Sequence, residues 1–160
     1  MPYAVCGGNA VAAWVARVDQ TATRNTSDVD ILLRREDLIR ATDALTAAGF
    51  IHREVAGLPV FLDGPDGTVR DAVHIVFALE KVRPDEVTPS PDVTDSVAAD
   101  DYRVISLEAL VRVKLTACSD KDRTHVRDLL EVGLIDQSWV HRFPPQLADR
   151  LQALVDTPDG

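Results

Sequence analysis

An α+β fold is what this 160-residue sequence predicts: a short mixed β-sheet flanked by helices and followed by a helical C-terminal annex. Three observations predict it. Near the N-terminus an apolar strand pattern gives way to helical spacing at a pair of glycines, Gly7 and Gly8. Two aspartates, Asp28 and Asp30, then stand two residues apart inside an apolar run. Short strand-like runs separated by turn residues follow, and beyond Ser106 they are replaced by sustained helical periodicity, the order expected of a sheet layer covered by helices.

The first element is the apolar run ending at Cys6, and Gly7-Gly8-Asn9 opens a segment with Val11, Trp14, Val15 and Val18 at helical spacing. A strand that turns into a helix at two glycines exposes unpaired backbone N–H groups at the helix start. A phosphate can approach there because glycine has no side chain in the way. On the next strand, side chains two apart point the same way, so Asp28 and Asp30 share one face while Val29, Ile31 and Leu33 alternate around them. Two carboxylates on one face repel each other. They ionise together readily when a cation sits between them, and hard divalent ions with oxygen ligands, Mg2+ or Mn2+, suit that position. Aspartate is also a poor strand former, so the pair fits a cleft filled by water or metal.

Glu36 to Ala48 carries Leu38, Ala41, Thr42, Leu45 and Ala48 along one face, with Gly49 at the position of a helix C-cap. Phe50–Val55 and Leu58–Leu62 read as strands, and the turn-rich Asp63–Gly67 leads into a strand from Thr68 to Phe77. In that strand His74 shares a face with Ala72 and Val76, while Asp71 falls on the other face by parity. Residues 78–101, rich in proline and acids, read as an irregular connection from which Glu80, Lys81 and Arg83 can reach the site.

From Ser106, Leu107, Leu110, Val111, Lys114 and Cys118 lie along one helix face, which puts Lys114 on an apolar stripe. A lysine there either extends out to solvent or is aimed at something anionic. Ser119 and Asp122 have capping-box spacing at the start of the next helix, which carries Val126, Leu129 and Leu130 and ends at Gly133. Trp139 and Phe143 are placed to pack the annex onto the core, and Pro144-Pro145 starts a last helix with Leu147, Leu151 and Leu154 as its stripe. The division is thus a core over residues 1–100 and an annex over 101–160, in a single compact unit.

The net charge of −9 and the isoelectric point near 4.8 argue against general electrostatic attraction to nucleic acid or to an anionic membrane. Arg24, Arg34, Arg35 and Arg40 leave room for a local basic patch around the aspartate motif. The two cysteines, Cys6 and Cys118, show no metal-binding spacing and read as reduced, buried residues of a cytoplasmic protein. No apolar run reaches membrane-spanning length. The N-terminus shows no charged region ahead of an apolar core, so secretion is not expected.

The combined pattern Gly7-Gly8-x-Ala10-Val11 followed by Arg24-x-Thr26-x-Asp28-x-Asp30 resembles the signature of the nucleotidyltransferase superfamily, which shares the fold of DNA polymerase β. Within it the likeness is to small bacterial abortive-infection and toxin-type nucleotidyltransferases. It is strongest over residues 3–33 and continues in weaker form to about residue 132. The resemblance implies an NTP as substrate and Mg2+ or Mn2+ held by Asp28 and Asp30. It also implies nucleotide contacts from Gly7, Gly8, Asn9, Arg24 and Lys114, and transfer of a nucleoside monophosphate to a hydroxyl acceptor on RNA, protein or a small molecule. Family members carry a third carboxylate on the next strand, and here His74 stands at that position. A lysine–aspartate pair with a later aspartate is matched by Lys121, Asp122 and Asp128, so the proton acceptor falls to Asp30, His74 or Asp122. The alternative is a degenerate, non-catalytic nucleotidyltransferase fold that binds nucleotide or a protein partner, as one half of a toxin–antitoxin pair, and His74 in place of a carboxylate favours it.

Overall fold

The computed structural model describes residues 1–160 as seven strands and five α-helices. In chain order these are β1 (Tyr3–Cys6), α1 (Gly7–Ala16), β2 (Val29–Leu33), α2 (Leu38–Ala47), β3 (Ile51–Val55), β4 (Leu58–Leu62) and β5 (Val73–Phe77). They are followed by β6 (Ser96–Ala98), β7 (Arg103–Ile105), α3 (Leu107–Ala117), α4 (Asp120–Glu131) and α5 (Pro145–Asp156). All strands join one mixed sheet in the order β3-β4-β5-β2-β1-β7-β6. β2 runs antiparallel to β1 and parallel to β5, and β7 runs parallel to β1. The molecule is α+β, as its sequence predicts.

Strand alternation assigns the two faces of the sheet. On β2, Leu32 belongs to a large core with Ala4 and Cys6 of β1, Val11 and Val15 of α1, Leu110 and Leu115 of α3, Leu129 of α4 and Leu147 of α5. Its neighbour Leu33 points the other way, into a smaller core with Phe61, Ile75, Phe77 and Ala41 of α2. Four helices therefore cover one face and α2 covers the other. Leu115, Leu129, Leu147 and Leu151 are fully buried, and each such side chain stabilises the fold by about 1.5–3 kcal/mol relative to exposure. That shared core ties the C-terminal helices to β1 and α1. Asp30 has the parity of Leu32, so it faces the helix-rich side at the end of the sheet where β1 gives way to α1.

Several elements depart from the sequence reading. Strand β5 begins only at Val73, and Val69–Asp71 forms a 3-10 turn ahead of it. Asp71 is set apart from Asp30 by that turn and by accepting a hydrogen bond from the Thr68 hydroxyl at 3.2 Å, not by strand parity. Residues 96–105, expected to be irregular or to open the annex, make the β6–β7 hairpin that extends the sheet beyond β1. Glu80 lies at the far end of β2 and β5 from Asp30, where Arg35 clamps it with two hydrogen bonds of 2.9 and 2.8 Å. Arg34 is held in the same way by Asp92. These arginines anchor the long connection and form no basic patch at the aspartates. Cys118 is the left-handed C-cap of α3 and only half-buried, whereas Cys6 is buried, with its thiol pushed up by burial first and by the Asp30 charge second. No helix is long and apolar enough to cross a membrane.

Candidate active site

The site starts at the junction of β1 and α1. Gly7 has φ of +67°, and a Cβ there would lie 2.0 Å from Asp30 Oδ2. At Gly8 a Cβ would meet Thr26 Cγ2 at 2.9 Å. The two glycines therefore admit two of the protein's own side chains to the start of α1, a structural need that motif spacing alone does not reveal. No side chain caps this helix end, and its unpaired N–H groups carry the partial positive charge that favours an anion.

Asp28 sits in a bend immediately before β2. Its backbone carbonyl accepts from Asn9 Nδ2 at 2.7 Å and from Thr26 Oγ1 at 2.9 Å. Asn9, expected to contact nucleotide, has its amide committed to this clamp because Asp28 passes directly over the first turn of α1. Neither the Asp28 nor the Asp30 carboxylate has a hydrogen-bond or ion-pair partner in the protein, although Asp30 is largely enclosed. Burial raises the Asp30 carboxyl above the ordinary range and the Asp28 charge raises it further, against a weaker opposing pull from His74, Lys114 and Lys121. An acid pair held this way is destabilising unless a cation joins it.

Register brings Asp30 beside His74 on β5 and opposite Cys6 on β1. Adjacent strands lie about 4.8 Å apart, so sequence reasoning placed His74 correctly next to the aspartates. The ring is not free on both sides, because its Nε2 lies 2.9 Å from the Val69 carbonyl oxygen. A carbonyl only accepts, so Nε2 carries the proton and Nδ1 keeps the lone pair in the neutral ring. No group of three or more His, Cys, Asp or Glu side chains converges with metal-holding geometry. The three-ligand arrangement of Asp28, Asp30 and His74 is therefore not built into the fold. Two carboxylates do fit Mg2+, which keeps several waters and takes its remaining ligands from substrate phosphates.

Four further residues are engaged with one another. Lys114 is 6% exposed on α3 and donates to Asp122 Oδ1 at 3.0 Å. It is aimed at an anion, as its place on an apolar stripe allowed, and that anion belongs to the protein. Asp122 also closes the capping box of α4 by accepting from Ser119 N and Oγ at 3.1 and 2.6 Å. Burial alone would raise its carboxyl, but Lys114 and Ser119 outweigh it and hold the group below its usual value. With both oxygens occupied, Asp122 is a poor proton acceptor. Arg24, expected to meet Asp28, Asp30 or a triphosphate, instead grips Asp128 with Nε at 2.6 Å and a terminal nitrogen at 3.1 Å. It thereby fastens the segment between α1 and β2 onto α4.

Two residues carry more of the site than their sequence context suggested. Lys121 is exposed, makes no ion pair, and lies near enough to lower Asp30. His125 is 5% exposed, and its Nδ1 has no hydrogen-bond partner. Burial drives its pKa down to about 4, with the Lys114 and Lys121 charges adding to the effect. Its spacing from Lys121 and Leu129, four residues each way on α4, is the signal that could have found it. His125 lines a cleft of about 200 Å³ between α1 and α4, with Val11, Val15, Thr26, Lys121 and Thr124 among the other walls. A second cleft of about 220 Å³ lies on the other side of Asp122, where Arg83, Glu86, Thr88 and Ser119 line it.

No family model matches the chain, and no curated protein matches it. Solved structures do. The antibiotic-resistance factor ANT(2'')-Ia, whose solution structure is described as showing substrate-regulated conformation dynamics, superposes with a TM-score of 0.55 at 16% identity, over 98% of this chain and 80% of that one. A protein from H. pylori assigned to the nucleotidyltransferases gives a TM-score of 0.52 at 15% identity, over 99% of this chain and 70% of that one. At such identities the likeness speaks for the fold, and the chain has the nucleotidyltransferase fold.

Proposed function

We propose that the protein is a metal-dependent nucleotidyltransferase that moves a nucleoside monophosphate from an NTP to a hydroxyl acceptor. The observation that carries this reading is the unpartnered, half-enclosed pair Asp28 and Asp30 beside the uncapped start of α1. Asp28 and Asp30 would hold Mg2+ or Mn2+, which when bound neutralises charge on the triphosphate as the leaving pyrophosphate develops it. The N–H groups at the start of α1 and the free ammonium of Lys121 supply the remaining positive charge toward the phosphates. Lys114, bonded to Asp122, contributes through its field.

His74 is the better placed proton acceptor. Its Nδ1 retains a lone pair one register position from Asp30, whereas Asp122 has both oxygens occupied. The acceptor hydroxyl would lose its proton to His74 as its oxygen attacks the α-phosphorus and the bond to pyrophosphate breaks.

The test is calorimetric titration of each NTP with Mg2+, then Mn2+, into wild type and into Asp28→Asn/Asp30→Asn, followed by transfer assays with labelled NTP. Metal-dependent binding lost in the double variant supports the reading. Absence of binding with either metal, in folded wild type, overturns it. A second reading, a nucleotide- or partner-binding protein without catalysis, is favoured by the lack of a third carboxylate beside Asp28 and Asp30. NTP binding without transfer to RNA, protein or small-molecule hydroxyls would select it.

A further inference from the structure

The cleft between α1 and α4 has a composition unlike that of a phosphate site. Arg24 on its rim is neutralised by Asp128. His125 in its wall is uncharged near neutral pH, because enclosure disfavours the imidazolium. Lys121 is the single unpaired cation among its lining residues, and it stands at the end toward Asp30, since its charge is felt by both Asp30 and His125. One long wall, made by Val11, Ala12 and Val15 of α1, is apolar. Facing it are groups with spare hydrogen-bonding capacity. The Thr26 and Thr124 hydroxyls donate to the Asp28 and Asp120 carbonyls and keep their lone pairs, and the His125 ring has a nitrogen that no protein atom satisfies.

An apolar wall against a row of neutral donors and acceptors matches a flat heterocycle, whose faces are apolar and whose edge is polar. The charged groups cluster at one end only, where a polyphosphate attached to that heterocycle would lead off toward Asp28 and Asp30. The volume of about 200 Å³ suits a base and not a whole nucleotide. A buried ring nitrogen with no partner is an unfavourable feature in the free protein, and a ligand that supplies the missing hydrogen bond removes it.

We propose that this cleft receives the base of the nucleotide whose phosphates are held at the aspartate pair, with the His125 ring reading the base edge. The proposal rests on the nucleotidyltransferase reading and adds a specificity determinant to it. Pairing groups that are neutral and fixed discriminate well, because a base presenting the wrong edge leaves the His125 nitrogen unpaired again.

The experiment compares Mg2+–tripolyphosphate, which has phosphates and no base, with the four Mg2+–NTPs, by calorimetry on wild type, His125→Phe and Ala12→Phe. Phenylalanine at 125 keeps a ring and removes the nitrogens. Phenylalanine at 12 fills the cleft from the half-buried side of α1, so the question stays answerable if the first variant folds poorly. One NTP should bind at least about tenfold tighter than tripolyphosphate, a gap of about 1.4 kcal/mol. Both variants should reduce that NTP to the tripolyphosphate level while leaving tripolyphosphate itself unchanged. Equal binding of tripolyphosphate and all four NTPs to wild type, or an NTP preference that survives both variants, overturns the base site while the phosphate site stands. If neither tripolyphosphate nor any NTP binds, the nucleotidyltransferase reading falls and the base site with it.

Discussion

Replacing Gly7 by alanine puts a methyl group where Asp30 Oδ2 lies 2.0 Å away and Asp30 Cγ 2.7 Å away, on a backbone held at φ +67°. The left-handed conformation costs a side-chain-bearing residue about 1–2 kcal/mol. Overpacking adds about 1–3 kcal/mol, for a total near 3 kcal/mol. In a domain of this size each kcal/mol lowers the melting temperature by roughly 2–4 °C, so Gly7→Ala should melt some 6–12 °C below wild type. The two contributions separate in a double-mutant cycle. Asp30→Ala removes the two closest atoms and should relieve the packing part, whereas Asp30→Asn keeps the shape and should relieve none. Urea unfolding of the single variants and the two double variants is the assay. A loss below about 1 kcal/mol for Gly7→Ala, or an equal loss in the Asp30→Ala background, would refute the claim that Gly7 is glycine in order to admit the Asp30 carboxylate.

Lys114→Met should destabilise by about 3 kcal/mol, since it strands Asp122 without its buried partner, and NMR titration should show the Asp122 carboxyl rising from its depressed value. His125 makes stability depend on pH with a definite sign. Its folded pKa of about 4 lies below the ordinary 6.5, so between those values the unfolded chain binds a proton that the folded chain refuses. Its contribution is complete above about pH 6.5 and is lost as pH falls toward 4, by up to about 3 kcal/mol. Urea unfolding from pH 7 to pH 4 should therefore fall less steeply in His125→Phe than in wild type. Arg24→Ala and Asp128→Ala should couple by about 1 kcal/mol in a double-mutant cycle, because Arg24 is mostly exposed and Asp128 is not.

What the sequence by itself determined is what local periodicity and short spacing encode. The alternation around Asp28 and Asp30, the Gly7-Gly8 junction, the helical stripes of α3, α4 and α5 and the capping box at Ser119 are relations among residues a few positions apart. Local sterics and hydrogen bonds set such relations wherever the chain goes. The parity of His74 belongs with them, although its place beside Asp30 depended on β2 and β5 pairing. Partner choice across long separations was decided only by the tertiary structure. Arg24 found Asp128, 104 positions away, and Arg35 found Glu80, 45 positions away, because a charged group takes whichever opposite charge the packed helices and strands bring within reach. The three-residue strands β6 and β7 were likewise illegible, since so short a run carries no period and is stabilised by pairing with β1. The same holds for His125. A histidine among apolar helix positions is ordinary in sequence, and only the packing of α1 against α4 turned it into a buried ring with an unmatched nitrogen in the wall of a cleft.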